Sequence, residues 1–374
     1  MAKHSAGEGG VASTPFRRKR KEECEVSGGH GSRPTLEAVA AHAGVSRATV
    51  SRVVNGGAGV RAEVRDRVQR SVDELGYVPN SAARSLVTRR TGAVAVVIAE
   101  PETRVFADPF FAQQLRGISR ELSERDMQLL LLLLEQRRDH TRIGRYLSGG
   151  HVDGALMFSL HTHDPLPAMA AESGLPTVFG GRPGWPGSER EPRPLYVDTD
   201  NRGGARQAVE HLLERGRRRV AVITGPLDQT SALDRLHGYR DALGVVEADP
   251  ALVAHGGFTA EGGERAMAEL LDRTPDLDAV FAGSDLMASG AIRTLRAYGR
   301  RVPDDVAVVG YDDLEPAAWA DPPLTTVRQD VEGMGRMMAE LLMRRLGLGP
   351  EPATPEGVPT SVVTPARLIV RASS

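Results

Sequence analysis

The stretch TLEAVAAHAGVSRATVSRVVNG, residues 35–56, predicts two short helices joined by a tight turn. Thr35 has the side chain of a helix N-cap, and Gly44 is a residue type that ends helices. Ser46 can cap the second helix, which Asn55 and the glycine after it terminate. Two helices joined by a short turn that contains glycine have the helix-turn-helix layout.

The segment after this stretch predicts a third helix and then a marginal one. Apolar residues recur at helical spacing over about residues 61–75, and Gly76 follows as a stop. Residues 34–79 are therefore assigned to a helix-turn-helix domain. The next capped stretch, Asn80–Leu86, has only about two turns, and helices this short are unstable alone in water. We assign residues 80–92 to a hinge helix and linker that forms only with support from elsewhere.

The charge distribution separates the N-terminal part of the chain from the remainder. The 374 residues have a formal net charge of −2, but residues 1–92 hold 16 Arg/Lys against 9 Asp/Glu. Residues 34–90 alone hold 9 arginines against 5 acidic residues, which favours a nucleic-acid contact there. Residues 1–33 lack periodic apolar content and are predicted to be a disordered basic tail. The run Arg17–Lys21 in this tail is either solvated or attracted non-specifically to phosphates.

From Gly92 onward, short β-branched runs alternate with amphipathic helical patterns, which predicts parallel sheets covered by helices. There are too many such units for one small sheet, and the Pro/Gly-rich stretch Gly180–Pro194 is expected to divide them into two α/β lobes. This α/β region is assigned to residues 93–374. The predicted units are residues 93–98, 110–125, 128–134, 141–148, 154–158, 176–179, 202–215, 220–223, 232–243, 261–271, 279–281, 286–298 and 306–309.

Composition excludes several classes of protein. The single cysteine, Cys24, excludes a disulfide framework within the chain and a cysteine-based zinc site. No run reaches the ~18 apolar residues of a membrane helix, and no apolar run follows the basic N-terminal cluster as in a secretory signal. A cytoplasmic protein without membrane contact is therefore expected. The sequence has no P-loop, metal-ligand cluster or Gly-x-Ser-x-Gly elbow, so we expect neither an enzyme nor a bound cofactor or metal.

Three blocks of the sequence resemble the LacI/GalR family of transcriptional regulators. They are residues 35–56 with Gly76–Leu86, then Ser231–Tyr239, and finally Val302–Asp313 with Pro322–Gln329. The resemblance covers roughly residues 34–371. It implies an all-α helix-turn-helix DNA-binding domain followed by an α/β periplasmic-binding-protein-like sensor of two doubly wound lobes, with chain crossings near residues 197–200 and 326–331.

The resemblance implies that the second helix reads DNA, since a helix in the major groove contacts base edges through its N-terminal residues. Arg47 and Ala48 fall on the family's specificity positions, and Arg52 falls on its base- or phosphate-contacting arginine. The alternative for the two arginines is a solvated helix face. The other residues of this domain implied to contact DNA are Thr35, Ser46, Thr49, Ser51, Asn55 and Tyr77, of which Tyr77 is alternatively a core aromatic.

The hinge helix is implied to enter the minor groove from both subunits of a dimer. Leu86 falls at the family's apolar wedge position, where it would open a central base step and bend the duplex. Asn80 would cap this helix, and the small Ala83 would permit close approach to the DNA. The alternative for Leu86 is packing on the following lobe.

The resemblance further implies a small-molecule site between the two lobes, at the strand ends where α/β sheets bind ligands. Charged side chains that converge with aromatic faces suit a polyhydroxylated ligand. For the aromatic residues the alternative is core packing, and for Arg235 and Asp312 it is a structural ion pair. The implied ligand-binding residues are Phe110, Phe111, Ser159 (or Phe158), Ser231, Arg235, Phe258, Ser284, Asp285 and Asp312.

The expected function is that of a homodimeric repressor in the bacterial cytoplasm, associated with the nucleoid. It would bind a pseudo-palindromic double-stranded operator of carbohydrate-metabolism genes and release it on binding a sugar-like effector. The alternative is a regulator that needs a nucleobase or another small metabolite as co-repressor. Around the cleft the chain departs from the family, with Ser284-Asp285 where Asn-Asp is common, Gly181-Arg182 where Asp-Arg is common, and an insertion at Pro183–Pro194.

Overall fold

The computed structural model describes residues 34–78, 90–134, 137–190, 193–349 and 361–374. It divides the chain into two compact units, Met1–Asn80 and Ser81–Ser374. The predicted tail and the predicted hinge helix, including Asn80, Ala83 and Leu86, lie outside the described residues.

The first unit is built from three helices that pack around a small valine core. The helices are α1 (Leu36–Ala43), α2 (Arg47–Val54) and α3 (Ala62–Leu75). Thr35 Oγ1 accepts a hydrogen bond from the backbone of Ala38, and Ser46 Oγ accepts one from Thr49, so both predicted caps are confirmed. Gly44 adopts a φ of 63° at the end of α1, a left-handed conformation that glycine adopts without steric cost.

The second unit contains two six-stranded sheets with helices on their faces, which confirms the predicted fold class. Its strands are β1 (Ala93–Ile98), β2 (Gln128–Leu133), β3 (Gly154–Phe158), β4 (Thr177–Gly180), β5 (Leu195–Thr199), β6 (Val220–Thr224), β7 (Val253–His255), β8 (Ala279–Ala282), β9 (Ala307–Asp312), β10 (Thr325–Arg328), β11 (Ser361–Thr364) and β12 (Arg367–Ile369). Its helices are α4 (Glu102–Ala107), α5 (Pro109–Ser123), α6 (Arg137–Ser148), α7 (Leu166–Glu172), α8 (Asn201–Glu214), α9 (Thr230–Leu243), α10 (Ala260–Arg273), α11 (Asp285–Ala297), α12 (Glu315–Trp319) and α13 (Val331–Arg345), with a 3-10 turn at Pro250–Leu252.

Each sheet forms the centre of one lobe. The first sheet has the strand order β11-β5-β4-β3-β1-β2 and is parallel throughout. The second has the order β12-β10-β9-β8-β6-β7, in which only β12 runs antiparallel to its neighbour. Helices cover both faces of such sheets, which is why β1 is a continuous run of buried apolar residues with no polar alternation.

The chain crosses between the lobes three times. It leaves the first sheet after Thr199, returns to it after Arg328, and leaves it again after Thr364. The third crossing was not predicted. The expectation that Gly180–Pro194 divides the lobes is wrong, because this stretch lies between β4 and β5, which are neighbours in one sheet. A loop rich in proline and glycine marks the end of a strand, and it carries no information about which sheet the next strand joins.

Helices α5 and α13 pack closely because glycines, which have no side chain, stand at their contact. A Cβ atom on Gly117 would lie 2.0 Å from the backbone oxygen of Glu332, and one on Gly335 would lie 2.2 Å from that of Gln114. These glycines therefore let the two backbones approach closely. Ile118 and Met338, on the same two helices, fill the core of the first lobe.

This close packing predicts that Gly117→Ala destabilises the second unit. The added methyl would force two helix backbones apart, and such overpacking costs about 1–3 kcal/mol. Gly144→Ala in α6 is the matched control, because its new methyl would meet only the flexible end of Met169. Alanine also favours a helix over glycine by up to ~1 kcal/mol, so the control is expected to be neutral or stabilising. Chemical denaturation of both variants measures the difference; equal effects would contradict the role assigned to Gly117.

Candidate functional site

One face of α2 carries the side chains that were predicted to contact DNA. Arg47, Ala48, Arg52 and Asn55 are exposed, and Arg47 has 73% of its side chain accessible. Their spacing places them on adjacent turns of one helix face. Thr49 and Ser51 are partly exposed beside them, and Thr35 and Ser46 are exposed at the helix caps. The three-helix core therefore presents α2 with its polar face outward.

An acidic residue that the sequence analysis did not name stands beside this face. Arg47 Nε lies 3.1 Å from Glu37 Oε1 of α1, and both side chains are largely exposed. The pair holds the guanidinium near the start of α2 in the free protein, although exposed pairs of this kind add little to stability. Ser46 Oγ lies 2.9 Å from Thr49 Oγ1, and Asn55 Nδ2 donates to Ser51 Oγ.

Tyr77 does not belong to this surface. It is 9% exposed and packs with Val39, Val50 and Val68 in the core of the first unit. The alternative that the sequence analysis kept open for Tyr77, a core aromatic, is the one that the structure presents.

The second unit contains a cavity of about 940 Å³, including the part open to solvent, between its two lobes. Ser159, Gly181 and Gln329 directly follow β3, β4 and β10, and Asp312 is the last residue of β9. The cavity therefore lies at the carboxyl ends of strands from both sheets. It is lined by Arg104, Asp108, Phe110, Gln114, Phe158, Ser159, Leu160, His161, Thr162, Phe179, Gly180, Gly181, Arg182, Gly184, Trp185, Asp198, Asn201, Asp228, Gln229, Thr230, Ser231, Arg235, Phe258, Ser284, Asp312, Gln329 and Met334.

Most of the predicted ligand-binding residues line this cavity. They are Phe110, Ser159, Ser231, Arg235, Phe258, Ser284 and Asp312, and the alternative residue Phe158 lines it as well. Phe111 and Asp285 do not, which corrects the prediction for these two residues. Asp285 instead accepts hydrogen bonds from Leu314 N at 2.8 Å and from Thr326 Oγ1 at 2.5 Å within the second lobe. Phe111 packs instead against Phe158 in the core, with ring centroids 6.2 Å apart.

A buried ion pair forms the polar end of the cavity. Arg235 Nη1 lies 3.6 Å from Asp312 Oδ1, and each side chain is only 8% exposed. Arg235 Nε donates to Asn201 Oδ1 at 2.9 Å, and its Nη1 donates to the backbone oxygen of Gly283 at 2.5 Å. Gln329 Nε2 donates to Asp312 Oδ1 at 2.6 Å. Buried charges need such partners, and here the protein supplies them before any ligand binds.

Burial changes the protonation of the carboxyls in and around this cluster. It raises the pKa of Asp312 to about 7, although Arg235 opposes the shift. Burial likewise raises the pKa of Asp198 to about 6, against hydrogen bonds from the backbone of Thr199 and Arg182. Burial and the neighbouring Asp312 raise the pKa of Asp285 well above its usual range. Near neutral pH the Asp312 carboxyl is thus poised to donate or to accept a hydrogen bond, which suits a ligand hydroxyl.

A second polar cluster connects the two lobes. Glu100, just after β1, accepts hydrogen bonds from Ser159 Oγ at 2.8 Å and from Gln229 Nε2 at 2.7 Å. Arg104 Nη1 lies 2.5 Å from the same carboxylate oxygen, and its guanidinium stands 5.3 Å from the ring centre of Phe258. Since Gln229 belongs to the second lobe, this cluster closes the cleft with polar contacts.

Several cavity residues were missed by the sequence analysis. Arg104, Asp108, Asp198, Asn201 and Gln229 line the cavity, yet none belongs to a recognisable motif. The sequence contained one signal for two of them. Asp198 and Asn201 lie between a short apolar run and the start of a helix, and α/β sheets bind ligands at such strand ends.

Backbone strain is concentrated at the cavity. Ser159, Phe258 and Asp312 have φ values of 59°, 60° and 113°, a region that residues other than glycine rarely adopt. All three line the cavity. Strain of this kind persists where the surrounding structure holds it in place, and it is often found at ligand sites.

Two features are absent from residues 34–78, 90–134, 137–190, 193–349 and 361–374, which the structure describes. Within those ranges, none of the helices has the length and hydropathy that crossing a bilayer requires. The same residues contain no group of three or more histidine, cysteine, aspartate or glutamate side chains placed to hold a metal ion.

A helix-turn-helix unit and a two-lobed cavity in one chain define a regulator that couples a DNA-reading surface to a small-molecule sensor. Residues 35–80 match the family model "Bacterial regulatory proteins, lacI family". Residues 209–374 match the model "Periplasmic binding protein-like domain". The chain belongs to the lacI family of bacterial regulatory proteins, as the sequence resemblance indicated.

Individual relatives support this assignment along almost the whole chain. The HTH-type transcriptional regulator CelR of Thermobifida fusca is 55% identical, over 84% of this chain and 92% of that protein. The solved structure of a transcriptional regulator CelR-cellobiose complex is 50% identical, with a TM-score of 0.69 over 91% of this chain and 100% of that one. The Lac repressor dimer bound to operator and the anti-inducer ONPF is 28% identical, with a TM-score of 0.79 over 91% of this chain and 99% of that one.

The raised carboxyl pKa values predict how stability depends on pH. Asp312 and Asp198 keep their protons in the folded chain at pH values where an unfolded aspartate, with a pKa of ~3.9, has lost its own. The folded state then binds more protons, so the free energy of unfolding falls as pH rises from about 4 through 7.

Asp312→Asn should remove up to one proton from this dependence, so its free energy of unfolding should fall less steeply between pH 4 and pH 8 than that of wild type. Denaturant titrations between these pH values measure the two slopes. Asp272→Asn, at an exposed position on α10 outside the cavity, is the matched control for the loss of one carboxyl group. Parallel curves for wild type and Asp312→Asn would show that Asp312 titrates normally.

Proposed function

We propose that this chain is a homodimeric transcriptional repressor whose operator affinity is controlled by a disaccharide of glucose such as cellobiose. The observation that carries the sugar assignment is the cavity, which combines the buried Arg235–Asp312 pair with aromatic walls. The similarity to a regulator solved with cellobiose supports the choice of sugar. The protein would act on operator DNA in the bacterial nucleoid. We propose no catalytic activity, because the relatives of this chain are named as regulators.

The chemistry of the cavity suits a carbohydrate. Pyranose rings present hydroxyls around their edge and C–H groups on their faces. Arg235, Asn201 and Asp312 offer donors and acceptors at the buried end, and charge-assisted hydrogen bonds of this type are strong. Phe110 and Phe258 offer apolar ring surface next to them. Part of the cavity is open to solvent, so a ligand longer than one ring can extend toward its mouth.

The exposed face of α2 would bind the major groove of the operator. Arg47 can form a bidentate contact with guanine O6 and N7, and Ala48 can contact a thymine methyl group. Thr35, Thr49, Ser51 and Asn55 would anchor phosphates, which position the helix without selecting a sequence. A dimer would place two such helices on two half-sites, which fits a pseudo-palindromic operator and the dimer in the related Lac repressor structure.

The ligand would act by favouring one arrangement of the lobes. Ser159 and Phe110 belong to the first lobe, whereas Arg235 and Phe258 belong to the second, so a bound sugar contacts both. It then stabilises the closed cleft more than an open one and shifts the population between them. Linkage requires that operator binding changes the sugar affinity by the same factor. If this coupling is positive rather than negative, the sugar is a co-repressor.

Operator titrations with and without cellobiose test this function. A saturating sugar should weaken operator binding by about 5–150-fold, the usual range of allosteric coupling. Asp312→Asn should lose most of this response while it keeps the wild-type operator affinity without sugar, and Asp272→Asn should behave as wild type. A strengthened complex would indicate co-repression. An operator affinity indifferent to sugar would contradict the proposed ligand.

Arg47→Ala tests how α2 reads DNA. Loss of one bidentate contact should weaken binding to the specific operator by about 5–150-fold, or ~1–3 kcal/mol, and relax selection at one or two base pairs. Arg70→Ala removes the same charge from α3, where the arginine bonds to its own helix backbone. Both variants should bind random DNA alike. If Arg47→Ala loses as much affinity for random DNA as for the operator, its role is electrostatic only.

A further inference from the structure

The stretch Gly181–Ser188, here called the cleft loop, belongs to the Pro/Gly-rich insertion that the sequence analysis left without a role. It follows β4 of the first lobe. Gly181 N donates to the backbone oxygen of Val197 at 2.8 Å, and Arg182 N donates to the buried Asp198 Oδ2 at 3.0 Å. The start of the loop is thereby fixed to the floor of the cavity.

The cleft loop is also fixed to the second lobe. Arg182 forms a two-pronged ion pair with Asp234 of α9, with distances of 2.8 Å from Nη2 to Oδ1 and 3.1 Å from Nε to Oδ2. Thr230 Oγ1 donates to the backbone oxygen of Arg182 at 2.7 Å. A Cβ atom on Gly184 would lie 2.4 Å from Thr230 Cγ2, so the loop backbone rests directly on the start of α9.

These anchors place one aromatic side chain in the wall of the cavity. Trp185 lines the cavity and is half-buried, and its ring lies 4.7 Å from that of Phe179 at an angle of 54°. Phe179 supports one side of the indole, and the turn closed by Ser188 N on Trp185 O holds its backbone. A tryptophan held in this way offers a preformed apolar surface with one N–H donor.

Exposure shows where along the cavity this surface lies. Arg235, Asp312 and Asn201 are buried, and they form its inner end. Arg182 and Asp228, which line the same cavity, are exposed and mark its mouth. Trp185 follows Arg182 by three residues and is intermediate in exposure. We therefore place it between the buried polar cluster and the mouth of the cavity.

We propose that Trp185 forms an outer subsite that stacks against the second ring of a disaccharide whose first ring is held by Arg235 and Asp312. The proposal rests on the proposed function and adds the residue that selects two-ring ligands over monosaccharides. The C–H face of the second pyranose packs on the indole, and the indole N–H can donate to a hydroxyl of that ring. A monosaccharide occupies the inner end and leaves Trp185 uncovered.

The chain offers an internal control, since its two tryptophans stand in different places. Trp319 lies on α12 and is 81% exposed. In Trp319→Phe, Trp185 is the only indole, so cellobiose should change its fluorescence intensity and wavelength while glucose leaves them nearly unchanged. In Trp185→Phe, neither sugar should change the fluorescence of Trp319, although calorimetry should still detect cellobiose binding.

Affinity measurements on the full chain complete the test. Trp185→Ala should weaken cellobiose binding by roughly tenfold, which corresponds to about 60 Å² of lost apolar contact. Glucose affinity should stay within twofold of wild type, and Trp319→Ala should leave both affinities unchanged. Trp185→Phe, which keeps part of the ring surface, should lie between wild type and Trp185→Ala. A thermal unfolding temperature close to wild type establishes that the variants fold.

The outcomes separate this proposal from the function on which it rests. If wild type binds cellobiose and Trp185→Ala binds it equally well, the outer subsite is wrong and the proposed function stands. An equal loss for glucose and cellobiose would also overturn it, because Trp185 would then serve the whole cavity. A wild-type chain that binds neither sugar overturns the proposed function and, with it, the subsite.

Discussion

The contact between Arg235 and Asp312 is the interaction on which the ligand cavity depends. A buried guanidinium and carboxylate lose most of their hydration, and they are tolerated only when surrounding groups replace it. Asn201, the Gly283 carbonyl and Gln329 do so, and they come from three separate segments of the chain. Each segment is therefore held in one arrangement around the pair. The polar end of the cavity is organised before a ligand arrives, which lowers the entropic cost of binding.

The side chains proposed to bind DNA in the first unit are exposed, whereas those proposed to bind the ligand in the second unit are buried. On α2, Arg47 and Arg52 are exposed, as their proposed contacts with base edges and phosphates require. In the cleft, the groups proposed to bind the ligand, such as Arg235 and Asp312, are buried and hydrogen-bonded to neighbouring residues. The charge of the chain follows this division, with the excess of arginine in residues 34–90 and the excess of acid in the sensor. The two excesses nearly cancel in the net charge of −2.

Local rules predicted the parts of the structure that local interactions determine. The caps at Thr35 and Ser46, the stop at Gly44 and the bounds of β1 all follow from neighbouring residues. Prediction from the sequence failed where contacts between distant segments determine the structure. Gly180–Pro194 was taken for a boundary between lobes because nothing within it indicates that β5 pairs with β4. Gln229 and Glu100 meet although they lie 129 positions apart, and no motif marks either residue. The family resemblance located the cleft, but it did not separate Phe110, which lines the cavity, from Phe111, which packs in the core.

The three crossings between the lobes lie side by side. Thr364 pairs with Thr199 in the first sheet, and Arg367 pairs with Arg328 in the second, so the connecting segments are neighbours in space. When these three connecting segments bend together, one lobe rotates relative to the other about the line on which the segments lie. A ligand that bridges the cleft far from that line acts with a long lever arm, so a small displacement at the hinge becomes a large one at the mouth.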